Sequence, residues 1–263
     1  MNDLDDIKVF LLDMDGTIYL GNTLIDGAKE FLEKIKKTGR SYIFLTNNTS
    51  KDKNLYVEKL NKLGISSEKS EIYSSSDATI AYLNDKNIRK VFLVGNTSLE
   101  NEFKNSGIEV VKEYGKEIDA VVSSFDTELT YEKLQIACDY IMDGILYIST
   151  HPDLVCPLEG GRVMPDSGAI SNLIYSVTKK QPLVIGKPEK TMIKGVQKKY
   201  GFDKDSLLMV GDRLYTDVAM GEKAGIKSAL VLSGETTLED YEKSEIKATF
   251  VYNSVKDMIN LIN

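Results

Sequence analysis

The stretch VFLLDMDGT, residues 9–17, joins an unbroken apolar run to two aspartates, a glycine and a threonine. Four consecutive apolar residues, Val9 to Leu12, suit a parallel strand covered on both faces. At strand spacing Asp13 and Asp15 project to one side and Met14 to the other, so two carboxylates converge just beyond the carboxyl end of a strand. Two anions that close repel, and their coexistence calls for a cation, a shared proton or ample water. Gly16 lets the chain turn sharply and bring backbone N–H groups near a ligand, while Thr17 adds a hydroxyl. Such a segment is suited to holding a divalent metal and an oxyanion together.

Working outward, strand-like and helix-like stretches alternate. Ala28, Phe31, Leu32 and Ile35 follow helical spacing, and a strand over 41–45 then ends at Thr46-Asn47-Asn48. Tyr56, Leu60 and Leu63 mark a second helix that stops at Gly64. Toward the other end, Ile193, Val196 and Tyr200 form a helical stripe. The apolar run 207–210 comes next and breaks into GDRLYTD, residues 211–217, so that Asp212 and Asp217 again stand after a strand. A strand over 228–232 and a last helix bearing Val255, Met258, Ile259 and Ile262 complete the pattern of an α/β fold, an open parallel sheet of Rossmann-like type flanked by helices. Ligands bind such sheets at the carboxyl ends of the strands. Lys187, in the GKP turn after the apolar run 183–185, would bring a fourth segment to the same crevice.

Residues 79–179 have a rhythm of their own: strands over 91–94, 120–122 and 145–148, and helices over 98–105 and 129–142. They read as an α/β domain inserted into a core made of residues 1–78 and 180–263. The polar stretch Ser74 to Asp77 and the proline-marked segment 178–182 read as hinges.

Composition narrows the setting. With 263 residues, the chain has the length of one large domain or two ordinary ones. A net charge of −7 argues against a nucleic-acid partner, which requires a basic field. No apolar run approaches the roughly 20 residues that span a bilayer, and the acidic start lacks the features of a secretory signal, so a cytoplasmic protein without a membrane partner is expected. Two cysteines, Cys138 and Cys156, are too few for a disulfide framework.

DMDGT at 13–17, TNN at 46–48, GKP at 186–188 and GDRLYTD at 211–217 resemble, in this order, the four signature segments of the haloacid dehalogenase superfamily, and in particular its NagD-type, or p-nitrophenyl-phosphatase-like, phosphatases. The resemblance spans nearly the whole chain, with GNTSLE, LTYEKL, THPD and SGAI in the inserted region and AGIKSALVLSGETT after the last signature. It implies a phosphatase acting on a small phosphorylated metabolite, with Mg²⁺ as cofactor and a large α/β cap inserted between the second and third signatures. It further implies that Asp13 is the nucleophile and forms an aspartyl phosphate, and that Asp15 is a general acid and then a base. Thr46, Asn47 and Lys187 would hold the phosphate oxygens, with the Gly16 backbone also contacting the phosphate and Asn48 either joining them or holding its loop. The metal would be bound by the Asp13 side chain, the Asp15 carbonyl and Asp212, with Asp217 ordering those ligands. Relatives of this type often dimerise through the cap, which makes a homodimer through the cap an expectation, although no surface stripe in the sequence marks one.

Any one of these segments alone would be unremarkable; four in order, each after an expected strand, are not. A receiver-type signalling module also carries acids, a Thr and a Lys at strand ends. It lacks both a general acid two residues after the phosphoacceptor and a hundred-residue insertion. A phosphotransferase or phosphomutase on the same core differs only in passing the phosphoryl group to a sugar hydroxyl instead of water. His151, the only histidine, lies in THPD, where the family has Thr-Asn-Pro-Asp. It is read as a leaving-group contact, with Asp153 beside it, against the alternative of a satisfied loop histidine. Cys138 reads as a packed core thiol. Cys156 with His151 would make a nucleophile pair lacking a third group. Arg213 and Tyr215 read as structural residues of their loop.

Overall fold

The structure is a computed structural model that describes residues 4–49, 53–157 and 162–262. The chain forms two compact units: Met1–Thr46, Lys53–Tyr73 and Lys187–Asn263 make the first, and Asn47–Asp52 with Ser74–Gly186 the second.

In the first unit the apolar run that opened the sequence is the strand Val9–Leu12, buried along its whole length. It pairs in parallel with Ser41–Thr46 on one side and Leu207–Gly211 on the other. The six-stranded sheet runs in the order Phe250–Tyr252, Lys227–Val231, Leu207–Gly211, Val9–Leu12, Ser41–Thr46, Ile72–Ser74. Chain order thus departs in opposite directions from the first strand, so the switch point of the sheet lies between Val9–Leu12 and Leu207–Gly211. Asp13 and Asp212 come directly after these two strands. Phe10, Leu12, Phe31, Phe44, Val210 and Met258 pack in one apolar cluster. The helix Ala28–Lys37 buries the four residues its spacing marked, Ala28, Phe31, Leu32 and Ile35. The last helical segment, Val255–Leu261, is a 3₁₀ helix and not an α-helix, with Val255 and Met258 buried.

The second unit carries a five-stranded parallel sheet in the order Leu183–Val184, Leu146–Ser149, Ala120–Ser123, Lys90–Val94, Glu109–Val111. Helices Tyr131–Met142 and Ser167–Thr178 contribute Ala137, Cys138, Ile141, Ile170 and Ile174 to a separate core with Phe92, Val94 and Val121. Cys138 is therefore a core thiol. The apolar run 183–185, assigned by sequence to the core sheet, instead pairs with Leu146–Ser149 as an edge strand of this second sheet. The unit accordingly runs on to Gly186 and does not end near residue 179, because those backbone groups find their partners there. Its other long boundary falls at Ser74, five residues before the one read from sequence. Among the described residues no helix is long and apolar enough to cross a membrane.

Candidate active site

Asp13 is fixed at the end of its strand by its own N–H, which donates to the Val210 carbonyl at 2.9 Å. The chain then turns tightly. The N–H groups of Thr17 and Ile18 donate to the Met14 carbonyl, and that of Gly16 donates to the Tyr19 carbonyl at 2.8 Å, leading into the hairpin of Tyr19–Leu20 with Thr23–Leu24. Gly16 has φ +87°, which favours glycine, and a Cβ there would lie 2.3 Å from Asp212 Oδ2. Met14 is buried and Asp15 exposed, as strand alternation requires.

The second acidic segment reaches the same place from Leu207–Gly211. A π-turn over Leu214–Val218 brings Asp217 back beneath it. Asp217 Oδ2 accepts from the Arg213 N–H at 3.2 Å, and its Oδ1 accepts from Lys187 Nζ at 2.8 Å. Asp212 Oδ2 accepts from the Glu235 N–H at 2.7 Å. Arg213 and Tyr215 both reach Glu235, by an ion pair at 3.0 Å and a hydrogen bond at 2.8 Å, so they hold the loop that holds Asp212. Glycine makes this crowding feasible: a Cβ at Gly211 would stand 2.3 Å from the Asp217 carboxyl carbon, and one at Gly234 would stand 2.0 Å from Asp212 Oδ2. The Ser233-Gly234-Glu235 loop lies within the stretch AGIKSALVLSGETT that carries the family resemblance, but sequence reading gave it no role at the site.

Lys187 is the cation of the group. Its ammonium is buried between Asp13 Oδ1 and Asp217 Oδ1 and bonds to both. Burial works against charging it, but the two carboxylates more than offset this and raise its pKa. Lys187, even with the Arg213 guanidinium that also acts on Asp13 and Asp212, does not balance three carboxylates. Burial pushes Asp13 up to about 6 despite Lys187. It pushes Asp212 up to about 8, with the charges of Asp13 and Asp217 adding to the effect. Oxygens of Asp13, Asp212 and Asp217 lie within 4.8 Å of one another, and Asp212 Oδ1 is buried without a hydrogen bond among the described residues. An orphaned carboxylate oxygen in a surplus of negative charge, offered by hard ligands, fits a small divalent cation.

Thr46 is buried at the end of Ser41–Thr46 in the first unit. Asn47 and Asn48 belong to the second. The Asn47 amide donates to both oxygens of Asp153 at 3.2 Å, and the Asn48 amide faces Cys156 Sγ at 3.8 Å. Both side chains thus make contacts that hold a loop, the alternative weighed for Asn48. His151 has no exposed surface. Its ring nitrogens face Asp153 and Asp166, each at 3.5 Å, and not Cys156, which removes the Cys–His pair. Asp166 was missed in the sequence; its signal was its place as a helix N-cap before Ser167–Thr178.

Comparison with known proteins agrees with this geometry. A family model described as haloacid dehalogenase-like hydrolase matches residues 10–109, and a HAD-hydrolase-like model matches residues 184–258. The acid sugar phosphatase of Staphylococcus aureus is 32% identical over 253 residues, covering 96% of each chain. The crystal structure of 4-nitrophenylphosphatase from Thermotoga maritima superposes with a TM-score of 0.92 at 40% identity, covering 99% of both chains. NagD from E. coli K-12 gives a TM-score of 0.88 at 27% identity over 95% of this chain and 98% of its own. With the carboxylate cluster at the switch point and relatives matched along nearly their whole length, the chain belongs to the haloacid dehalogenase-like hydrolases, in their NagD-type group of phosphatases.

Proposed function

We propose that the chain is a Mg²⁺-dependent phosphatase that hydrolyses a small phosphorylated metabolite, a sugar phosphate or a similar monoester, through an aspartyl phosphate on Asp13. The observation that carries this reading is Lys187 buried between Asp13 and Asp217 beside the unpaired Asp212 oxygen. Asp13 attacks phosphorus as the carboxylate, forming a carboxyl–phosphate bond as the bond to the leaving oxygen breaks. Asp15, exposed two residues on, donates its proton to that oxygen. It then takes one from the water that attacks the aspartyl phosphate, releasing phosphate and restoring Asp13. Lys187 and Thr46 stabilise charge on the nonbridging oxygens. Asp13, Asp212 and the Asp15 carbonyl would hold Mg²⁺, with Asp217 ordering them. When bound, the ion offsets repulsion between the Asp13 carboxylate and the phosphate dianion.

The test is phosphate release across a panel of phosphomonoesters with and without Mg²⁺. Chelation is expected to silence turnover and Mg²⁺ to restore it; unchanged activity after verified metal removal would overturn the cation's role. A stability signature should accompany it. Because Asp13 and Asp212 have raised pKa values in the folded state, the metal-free fold binds more protons than the unfolded chain between their ordinary value of 3.8 and about 8. Stability without metal should therefore fall as pH rises through that window. A cation that replaces those protons should raise Tm more near the top of the window than near its bottom.

Asp15→Asn is expected to lose turnover severely on alkyl phosphates and less on p-nitrophenyl phosphate, whose leaving group needs little protonation. Equal losses on both, with dephosphorylation of Asp13 shown not to limit the rate, would remove Asp15 from the acid role.

A further inference from the structure

The second unit contains a buried acid–histidine–acid array that the chemistry above does not use. His151 is fully buried, and neither ring nitrogen makes a hydrogen bond of normal geometry among the described residues. Nδ1 faces Asp153 Oδ2 and Nε2 faces Asp166 Oδ1, both at 3.5 Å, just at the limit of such a bond. A neutral imidazole has one N–H and one lone pair, and a lone pair turned toward a buried carboxylate is repulsive. The two contacts are favourable together only if a proton stands at each nitrogen, on the ring or on the carboxylate that faces it. Burial raises the Asp166 carboxyl above its ordinary value, and His151 acts against that rise.

The surroundings hold this array in place. Gly168 N–H donates to the Asp153 carbonyl at 2.8 Å, Asp166 N–H donates to the Leu154 carbonyl at 3.0 Å, and Asp166 Oδ1 accepts from Ser167 N–H at 2.6 Å. A Cβ at Gly168 would be 2.1 Å from the Pro152 carbonyl oxygen, so loop and helix start are in direct backbone contact. The outlet is Asn47: its amide donates to both Asp153 oxygens, and its carbonyl accepts from Ser75 Oγ at 2.6 Å. A Cβ at Gly186 would be 2.6 Å from Asn47 Oδ1. Asn47 comes directly after Thr46 at the strand end assigned to phosphate.

We infer that His151 is a positioning residue for phosphate binding: held by Asp166, it orients Asp153, which clamps the Asn47 side chain and so fixes the backbone of the phosphate-binding segment. The inference rests on the phosphatase reading. It places the effect at the phosphate end of the substrate, common to every monoester, and so departs from a leaving-group contact.

The experiment measures KM, kcat and competitive inhibition by inorganic phosphate for His151→Asn, Asp153→Asn and the double variant, on p-nitrophenyl phosphate and on the two best metabolites of the panel. Loss of an orienting partner is expected to raise KM about tenfold on all three substrates and to raise the phosphate inhibition constant by the same factor, with kcat changed far less. The double variant should be no worse than the worse single one. If His151→Asn does not fold, Asp166→Asn keeps both the ring and a helix-capping side chain and should shift the phosphate constant in the same direction. An unchanged phosphate constant, a KM change confined to some substrates, or additive effects would each overturn the inference. A wild-type protein that hydrolyses no member of the panel would instead overturn the phosphatase reading beneath it.

Discussion

Asp13→Asn is expected to abolish turnover while leaving a folded protein that still binds substrate. The substitution keeps volume and shape at the end of Val9–Leu12 but removes the carboxylate proposed to attack phosphorus, a change that costs roughly 10³–10⁶-fold in kcat when a covalent nucleophile is lost. It also removes one of three crowded negative charges. Asp212, held up by burial and by the charge of Asp13, should then ionise more readily, so the lost ion pair with Lys187 is partly offset and Tm should move little. Single-turnover assays and thermal melts on the same sample decide it. Turnover near wild type would dismiss Asp13 as nucleophile, and a collapse in Tm would mean that activity loss reports unfolding instead.

Lys187→Met is expected to be the most damaging single change to stability in the site. Methionine matches the length of the lysine stem, so packing is largely kept and the effect isolates the charge. Without the ammonium, Asp13 and Asp217 remain in a buried position facing each other and Asp212. Removing one partner of a buried ion pair typically costs about 3–5 kcal/mol, which for a chain of this size lowers Tm on the order of 10 °C. Mg²⁺ should recover part of the melting temperature, because it also neutralises the carboxylates. It should recover almost none of the activity, because it does not replace a cation on the phosphate oxygens. A melting curve unchanged from wild type would show that Lys187 does not hold the carboxylates together.

Much of this architecture was legible because the signals are physical constraints that few sequences meet by accident. The runs at 9–12, 42–45 and 207–210 are buried on both faces, so hydrophobicity alone marks them, and each leads into polar residues just beyond the strand. The unread parts lack such signals. Leu183–Val184 is a two-residue edge strand with Leu183 exposed, and nothing in so short a run says which sheet it joins. The hairpin of Val155–Pro157 with Val163–Pro165 ends both strands on proline, which reads as loop. Phe250–Tyr252 is half-buried throughout and escaped notice beside the helix pattern at 255–262. At the site, the identities of Asp13, Lys187, Asp212 and Asp217 could be read from motif order, but what each touches could not. That Asn47 spends its amide on Asp153, more than a hundred residues away, and that His151 stands between two acids depend on tertiary contacts with no local trace.

The pairing of Val9 with Leu207 has a consequence for how the molecule is made. As the chain emerges from the ribosome, Val9–Leu12 has Ser41–Thr46 beside it early, but its other neighbour is still untranslated. The second sheet, drawn entirely from strands between Lys90 and Val184, can close first, since its partners are synthesised together and the loops between them are shorter. The usual order, in which amino-terminal parts fold before carboxyl-terminal ones, is thereby inverted. A chain that ends between residues 187 and 206 would carry a complete inserted unit and a half-built sheet with the exposed strand Val9–Leu12 on its edge. Such an intermediate invites pairing with another chain, and its vulnerability ends only when Leu207–Gly211 covers that edge.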